Sequence, residues 1–320
     1  MRDRARAGVG SLRHAAFLYR TQAEFATAVL DFIEAGVNAG EPVLVAATGP
    51  NLHRLRGRLD HQNGILTWAD MSSTGSNPRR VTSVVRLFAE EHHGQPIRFV
   101  QEPAWPSRPA GEVREAIRHE ALVNLALAGA PAAVLCAYDL QLDAGPIMGA
   151  ERTHPVVIRD GSEGASLSYA ADLAIPAECD EPLSSPPPGA AALAYRHNQL
   201  AVRRFAAGVA RRAGLSSDRT GDLVIAVGEL AGNTLTHTSG PGTLTMWVAD
   251  GEVVCQTSDS GQITDPLAGT RRPDADDPSR GRGLWVVDQL CDLVEMRTGP
   301  GGTTIRVHMR LPQVSALEPG

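Results

Sequence analysis

The chain has 320 residues, a length that at about 150 residues per domain predicts two modules, each able to bury its own core. Acids outnumber bases 36 to 30, the net charge is −6, and every basic residue is arginine. The absence of lysine excludes a G-x-x-x-x-G-K-[ST] phosphate loop, a kinase strand lysine, Schiff-base chemistry and Ser–Lys nucleophile pairs, and the acidic balance gives no footprint for nucleic acid.

Along the first half, helical patterns at 22–36, 51–59, 78–92 and 111–128 alternate with apolar runs at 42–47, 97–100 and 132–138 that read as buried strands. That alternation predicts a mostly parallel α/β domain over 12–172. A proline-rich stretch, 173–194, then reads as a linker. In the second half, a helix over 198–213 stops at Gly214, and Ser216-Ser217-Asp218 offers N-cap side chains for a helix over 218–237. Strands at 243–249 and 252–258 are joined by Asp250-Gly251, a two-residue hairpin signal. Residues 261–280 are too long and too rich in Pro, Gly, Asp and Arg for an ordinary connection, and read as a lid or a disordered loop. A helix over 283–290 and strands at 292–298 and 303–311 complete an α/β sandwich over 195–312.

Four widely spaced cysteines without a C-x-x-C pair predict neither a zinc site nor a disulfide framework, and suit a reducing compartment. The first residues lack an apolar core, and the most apolar stretch, 121–138, is broken by Asn124 and Gly129-Ala130-Pro131. The expectation is a cytoplasmic protein with no membrane span.

On the helix over 218–237, Glu229, Asn233 and His237 fall within about 80° of arc, while Leu223, Val224, Val227, Leu230 and Ala231 carry the apolar load. A carboxylate one turn from a carboxamide suits phosphoryl transfer, the amide oxygen ligating Mg²⁺ and Glu229 deprotonating a hydroxyl; an ordinary solvated face has the same pattern. Asp259-Ser-Gly261 ends a strand, as a purine-amine acceptor or as a simple turn. Gly281-Arg282-Gly283-Leu284 opens a helix whose amides face whatever lies before it, where Arg280 or Arg282 could share phosphate charge; a capped flexible loop is the alternative.

In this order, Glu229-Leu-x-x-Asn233, Asp259-x-Gly261, Gly281-x-Gly283-Leu284 and Gly302-Thr303 resemble the N box, the two glycine boxes and the terminal Gly-Thr of the GHKL ATP-binding superfamily, whose fold is the Bergerat α/β sandwich. Val202-Arg-Arg-Phe205 through Ala213-Gly-Leu-Ser216 to Asp222 and Glu229-Leu is similar to the branch containing anti-sigma factor serine kinases. The resemblance implies ATP and Mg²⁺ as cofactors, Glu229 as general base, Asn233 as Mg²⁺ ligand, Asp259 as adenine contact, and Gly281 to Leu284 as the hinge of a phosphate-side lid. It also implies Thr303 as support for Asp259. Ile263 departs from the usual D-x-G-x-G. No dimerising hairpin with a phosphoacceptor histidine precedes the domain, and His197 reads as solvated.

In the first half, His14-x-x-x-x-Tyr19 with Phe25, Phe32 through Gly36, Gly40 and Pro42, Glu102-Pro103, Cys136-x-Tyr138-Asp139 and Thr153-His154-Pro155 resemble the MEDS sensory domain. That resemblance implies a sensor of small organic molecules, with His14, Tyr19, Glu102, Tyr138, Asp139 and His154 as candidate ligand residues. Glu102 and Asp139 follow predicted parallel strands, where α/β sheets bind ligands. Loop capping and packing remain the alternatives, and Trp105 seals the sheet edge or stacks on a ligand.

Together these readings predict a regulatory ATP-binding protein that phosphorylates serine or threonine of an anti-sigma factor antagonist under control of the sensory domain. The alternatives are a nucleotide-holding protein that sequesters a sigma factor or antagonist without turnover, and an autophosphorylating histidine kinase. The expected partners include no nucleic acid and no membrane, and a homodimer is left open.

Overall fold

The computed structural model of the chain describes residues 11–59, 64–170, 177–273 and 281–312. It divides into two compact units, residues 1–180 and 181–320. Among the described residues no helix is long and apolar enough to cross a membrane.

The first unit begins with β1 (Arg13–Tyr19), α1 (Gln22–Asn38), β2 (Val43–Ala47), α2 (Gly49–Leu59), β3 (Leu66–Asp70), α3 (Pro78–Glu91), β4 (Ile97–Gln101), α4 (Ala110–Ala126) and β5 (Ala132–Asp139). It ends with α5 (Ala144–Thr153), β6 (Val156–Arg159), β7 (Ser162–Ala165) and the single turn α6 (Ala177–Asp180). The strands form a seven-stranded sheet in the order β3-β2-β4-β5-β1-β6-β7. Every neighbouring pair is parallel except β6–β7.

Alternation along the strands sends Ala16, Leu18, Leu44, Phe99, Val134, Cys136 and Tyr138 to the face covered by α3, α4 and α5. Ala15, Phe17, Tyr19, Val43, Val45 and Leu135 go to the face covered by α1 and α2. Burial on both faces explains why the central strands read as continuous apolar runs. Local chemistry sets the helix starts: Thr21 Oγ1 accepts the Glu24 amide at 3.2 Å, Glu24 reaches back to the Arg20 amide at 2.7 Å, and Pro78 follows the N-cap Asn77.

The sequence pattern anticipates three of the seven strands; β1, β3, β6 and β7, with α5, are additional. The strand β1 opens on Arg13-His14, so its buried start looks polar, and β7 is exposed at every residue.

The second unit comprises β8 (Ala191–Tyr195), α7 (Gln199–Arg212), α8 (Ser217–His237), β9 (Gly242–Ala249), β10 (Glu252–Asp259), α9 (Arg282–Leu290), β11 (Leu293–Gly299) and β12 (Gly302–Arg310). Its sheet runs β11-β12-β10-β9-β8 with every neighbour antiparallel. All three helices contribute to one core with the inner face of the sheet, including Val202, Leu223, Leu230, Leu244, Met246, Val287, Val307 and Met309. This is a two-layer α/β sandwich. Asp250 and Gly251, at φ 50° and 74°, make the expected tight hairpin, and Asn198 and Ser216 cap α7 and α8. The span read as linker holds more order than expected, because Ala191–Tyr195 is an edge strand paired with β9. Its alternating exposure and small alanines hide it from an apolar-run search.

Candidate functional site

Glu229 and Asn233 stand one turn apart on α8, both half-buried, while Leu223, Ala226, Val227, Leu230, Ala231 and Thr234 fill the core. His237, next on the stripe, is exposed in the last helical turn. Gly283, in the first turn of α9, faces them directly: a Cβ there would lie 3.1 Å from Asn233 Oδ1 and 3.2 Å from Glu229 Oε2. Without a side chain, Gly283 brings the helix start close to both groups and leaves them uncovered, where a Cβ would make them give by a few tenths of an ångström. The N-cap of α9, Gly281, is left-handed at φ 74° and makes no side-chain cap hydrogen bond, so the first amides of the helix are potential anion donors. Arg282 is exposed and Leu284 packs on the core. Arg280 and residues 274–279 of the predicted lid lie outside the described residues, and 261–273 contain no helix or strand.

Asp259 ends β10 beside this region. Its Oδ2 accepts the Thr234 hydroxyl at 2.6 Å and its Oδ1 accepts the Gly261 amide at 2.8 Å, which leaves each oxygen a lone pair for a further donor. Tyr195 on β8 lies 3.1 Å from Thr234 Oγ1, and since the Thr234 proton goes to the carboxylate, the phenol donates in that pair. Burial raises the Tyr195 pKa, so it stays a donor. Thr303 donates to the Gly261 carbonyl at 2.8 Å and contacts Thr298 Oγ1 at 3.0 Å, tying the end of β10 to β11 and β12. Ile263 packs on the core and its amide donates to Thr298 at 2.9 Å. The structure thus gathers Asp259, Gly261 and Thr303 at one end of the sheet, and Glu229 and Asn233 on the second half of α8 against Gly283 at the start of α9. Thr234 and Tyr195 were not singled out by the sequence; Tyr195 lies 39 residues from its partner, beyond any local spacing. His197 is exposed, on a cleft of about 320 Å³ lined also by Arg196, Leu235, Thr238, Ser239 and Gly240.

The six candidates in the first unit separate into two groups. Tyr19, Glu102 and Asp139 lie at the carboxyl ends of β1, β4 and β5. Glu102 is buried and accepts the Thr48 amide at 2.8 Å, the Thr48 hydroxyl at 2.9 Å and Asn51 Nδ2 at 2.6 Å. It thereby serves as a remote cap for α2, although burial raises its pKa. Asp139 Oδ1 accepts the Gln141 amide at 2.9 Å. These contacts match the loop-capping alternative. Trp105 is half-buried and stacks under the Arg108 guanidinium at 4.2 Å.

His14 and His154 meet on the opposite face of the sheet, fully buried, with ring centroids 4.0 Å apart and Tyr138 edge-on to His154 at 5.8 Å. Glu120 from α4 and Cys136 from β5 complete the cluster, and neither was proposed as a site residue from sequence. One ligand atom from each of His14, Glu120, Cys136 and His154 lies within 4.8 Å of all the others. They come from β1, α4, β5 and the residue that caps the end of α5, with no short spacing, so a search for C-x-x-C patterns passes over them.

Comparison with known proteins bears on both units. The model of the methanogen/methylotroph, DcmR sensory domain, MEDS, matches residues 13–155, and that of the histidine kinase-like ATPase domain matches 193–309. The chain joins a MEDS domain to a histidine kinase-like ATPase domain. No curated protein matches it. A chain in the crystal structure of the RsbU and RsbW domains of Rv1364c from Mycobacterium tuberculosis is 21% identical, with a TM-score of 0.31. The match covers 39% of this chain and 33% of that one, about a third of its length. Within the ATPase domain lie all of Glu229, Asn233, Asp259, Gly261, Gly281 to Leu284 and Thr303. Within the MEDS domain lie all four members of the buried cluster.

Proposed function

We propose that the ATPase domain binds MgATP and directs its γ-phosphoryl group to a serine or threonine hydroxyl of a partner protein, an anti-sigma factor antagonist. The MEDS domain sets that activity in response to a small organic ligand. The observation that carries the reading is the side-chain-free approach of Gly283 to Glu229 and Asn233, which leaves a carboxylate and a carboxamide uncovered beside uncapped helix amides. In a chain without lysine, those amides and Arg282 are the anion-binding groups at hand.

Bound MgATP supplies the transferable phosphoryl group, and the metal neutralises charge on it. Asn233 Oδ1 is a hard oxygen donor suited to Mg²⁺. Asp259, held by Thr234 and Gly261, offers its remaining lone pairs to the exocyclic amine of adenine. Glu229 takes the proton from the attacking hydroxyl and orients it. The anti-sigma branch rests on the segment from Val202 to Leu230.

The test is Mg²⁺-dependent ATP binding by calorimetry on wild type, Asn233→Ala and Asp259→Ala, followed by transfer of labelled phosphate to a candidate antagonist. Weaker binding in both variants, with transfer abolished by Glu229→Ala while binding persists, supports the kinase reading. Binding unchanged in both variants, or no binding by wild type, removes it. A nucleotide-holding protein without turnover is favoured by Ile263, whose side chain packs where the glycine-box pattern has glycine; ATP binding without transfer by wild type selects it.

A further inference from the structure

The four atoms His14 Nε2, Glu120 Oε2, Cys136 Sγ and His154 Nε2 converge inside the first unit with every side chain essentially inaccessible to solvent. From Glu120 Oε2 the distance is 3.2 Å to each of the other three, and His14 Nε2 lies 3.3 Å from Cys136 Sγ. Around an ion bound at about 2.0–2.3 Å, tetrahedral donors lie roughly 3.3–3.7 Å apart, so modest adjustment fits one between them.

The hydrogen bonds on the far sides of the rings fix which nitrogens carry protons. Asn124 Nδ2 donates to the Thr153 carbonyl at 2.8 Å, so Asn124 Oδ1 faces His14 and must accept from His14 Nδ1 at 3.0 Å. His154 Nδ1 likewise donates to the Ala150 carbonyl at 2.8 Å. In the neutral rings both Nε2 lone pairs therefore point inward, toward a carboxylate oxygen with lone pairs of its own. His154 Nε2 approaches that oxygen without hydrogen-bond geometry and has no hydrogen-bond partner. A protein interior does not leave such an arrangement bare without cost. A proton on His14 Nε2 satisfies its pair with Glu120 but leaves His154 Nε2 without a partner, and protonating both rings places two cations against one carboxylate in a sealed pocket. A divalent ion with a thiolate, a carboxylate and two neutral imidazoles sums to zero charge.

Outer contacts complete the arrangement. Gln101 Nε2 donates to Glu120 Oε1 at 2.7 Å, reserving Oε2 for the cluster, while Gln101 Oε1 contacts His119 Nε2 at 3.1 Å. Because Gln101 Oε1 can only accept, His119 Nε2 donates to it, and His119 Nδ1 lies 2.6 Å from the Thr82 hydroxyl. Each inner donor that can be oriented by a second group is so oriented, the arrangement that metal ligands share.

We propose that His14, Glu120, Cys136 and His154 form a closed tetrahedral site for a divalent transition metal, Zn²⁺ by the two-nitrogen, one-oxygen, one-sulfur donor set. On binding, the Cys136 thiol proton leaves to solvent and a metal–thiolate bond forms, with no change of oxidation state. Four protein donors leave no open position, so the ion acts structurally, pinning α4 and the end of α5 to β1 and β5.

The experiment uses the full chain. Metal content is measured on protein purified without added chelator, and the metal is then exchanged for Co²⁺ alone. The expected result is one zinc per chain, and in the cobalt protein the visible bands of a tetrahedral ion with a thiolate charge-transfer band in the near ultraviolet. Cys136→Ser removes the charge-transfer band, whereas Cys255→Ser, in the other unit, keeps it. X-ray absorption on the wild-type zinc protein, which needs no variant to fold, reads one sulfur and three nitrogen or oxygen neighbours. Folded wild type that takes up neither ion in stoichiometric amount overturns the proposal. So does a charge-transfer band that survives Cys136→Ser, or a wild-type zinc shell of any other composition.

Discussion

Thr234 shows how one hydroxyl couples parts of the site that sequence keeps apart. It holds Asp259 on one side and receives Tyr195 on the other, so Thr234→Val leaves a buried phenol without its acceptor and the carboxylate without a donor. The expected cost is about 1–3 kcal/mol of unfolding free energy, measured by urea denaturation, together with weaker nucleotide binding. Gly302 is constrained more severely: its φ is +113° and a Cβ would lie 2.1 Å from the Asp259 carbonyl oxygen. Gly302→Ala should destabilise the unit by more than about 1 kcal/mol, since backbone conformation and contact both oppose it. His308 gives a pH signature. Burial lowers its pKa, but hydrogen bonds to Glu252 at 2.8 Å and Glu295 at 3.1 Å outweigh burial and raise it from 6.5 to about 9. The folded pKa is the higher one, so the stabilisation is fully present below about 6.5 and is lost as pH rises through about 9. Thermal unfolding of wild type should fall between those pH values, and His308→Gln should flatten that fall.

At the scale of elements, helices were legible wherever a cap met a 3.6-residue period. The Ser216 cap and the apolar face of α8 placed Glu229 and Asn233 on one stripe, where the structure finds them half-buried. Strands are legible as apolar runs or beside a tight-turn signal, so β8, with alternating exposure and no such turn next to it, disappears into the proline-rich stretch. The four-part cluster under α4 was illegible for a different reason: His14 and Glu120 are 106 residues apart, and their meeting depends on β1 lying next to β5. That adjacency is a property of sheet order, which strand propensity does not encode. The start of α9 offers an element-scale prediction. Gly283→Ala would press a methyl group against Glu229 and Asn233, so ATP affinity should fall by calorimetry while the circular dichroism spectrum stays that of wild type.

For the whole molecule, two units with separate cores predict separable unfolding. Calorimetric scans should resolve two transitions, and Mg²⁺ with ATP should shift only the one belonging to residues 181–320, since ligand binding stabilises the state it binds. A single transition displaced as a whole would mean the units unfold together. The seven-stranded sheet of the first unit carries a further consequence in its last strand. β7 has four residues, all exposed, and Glu163 on it is ion-paired to Arg13 at 2.7 Å. A short strand with a charged side chain is a poor template for a second chain, so that margin of the sheet resists edge-to-edge aggregation and strand exchange between molecules.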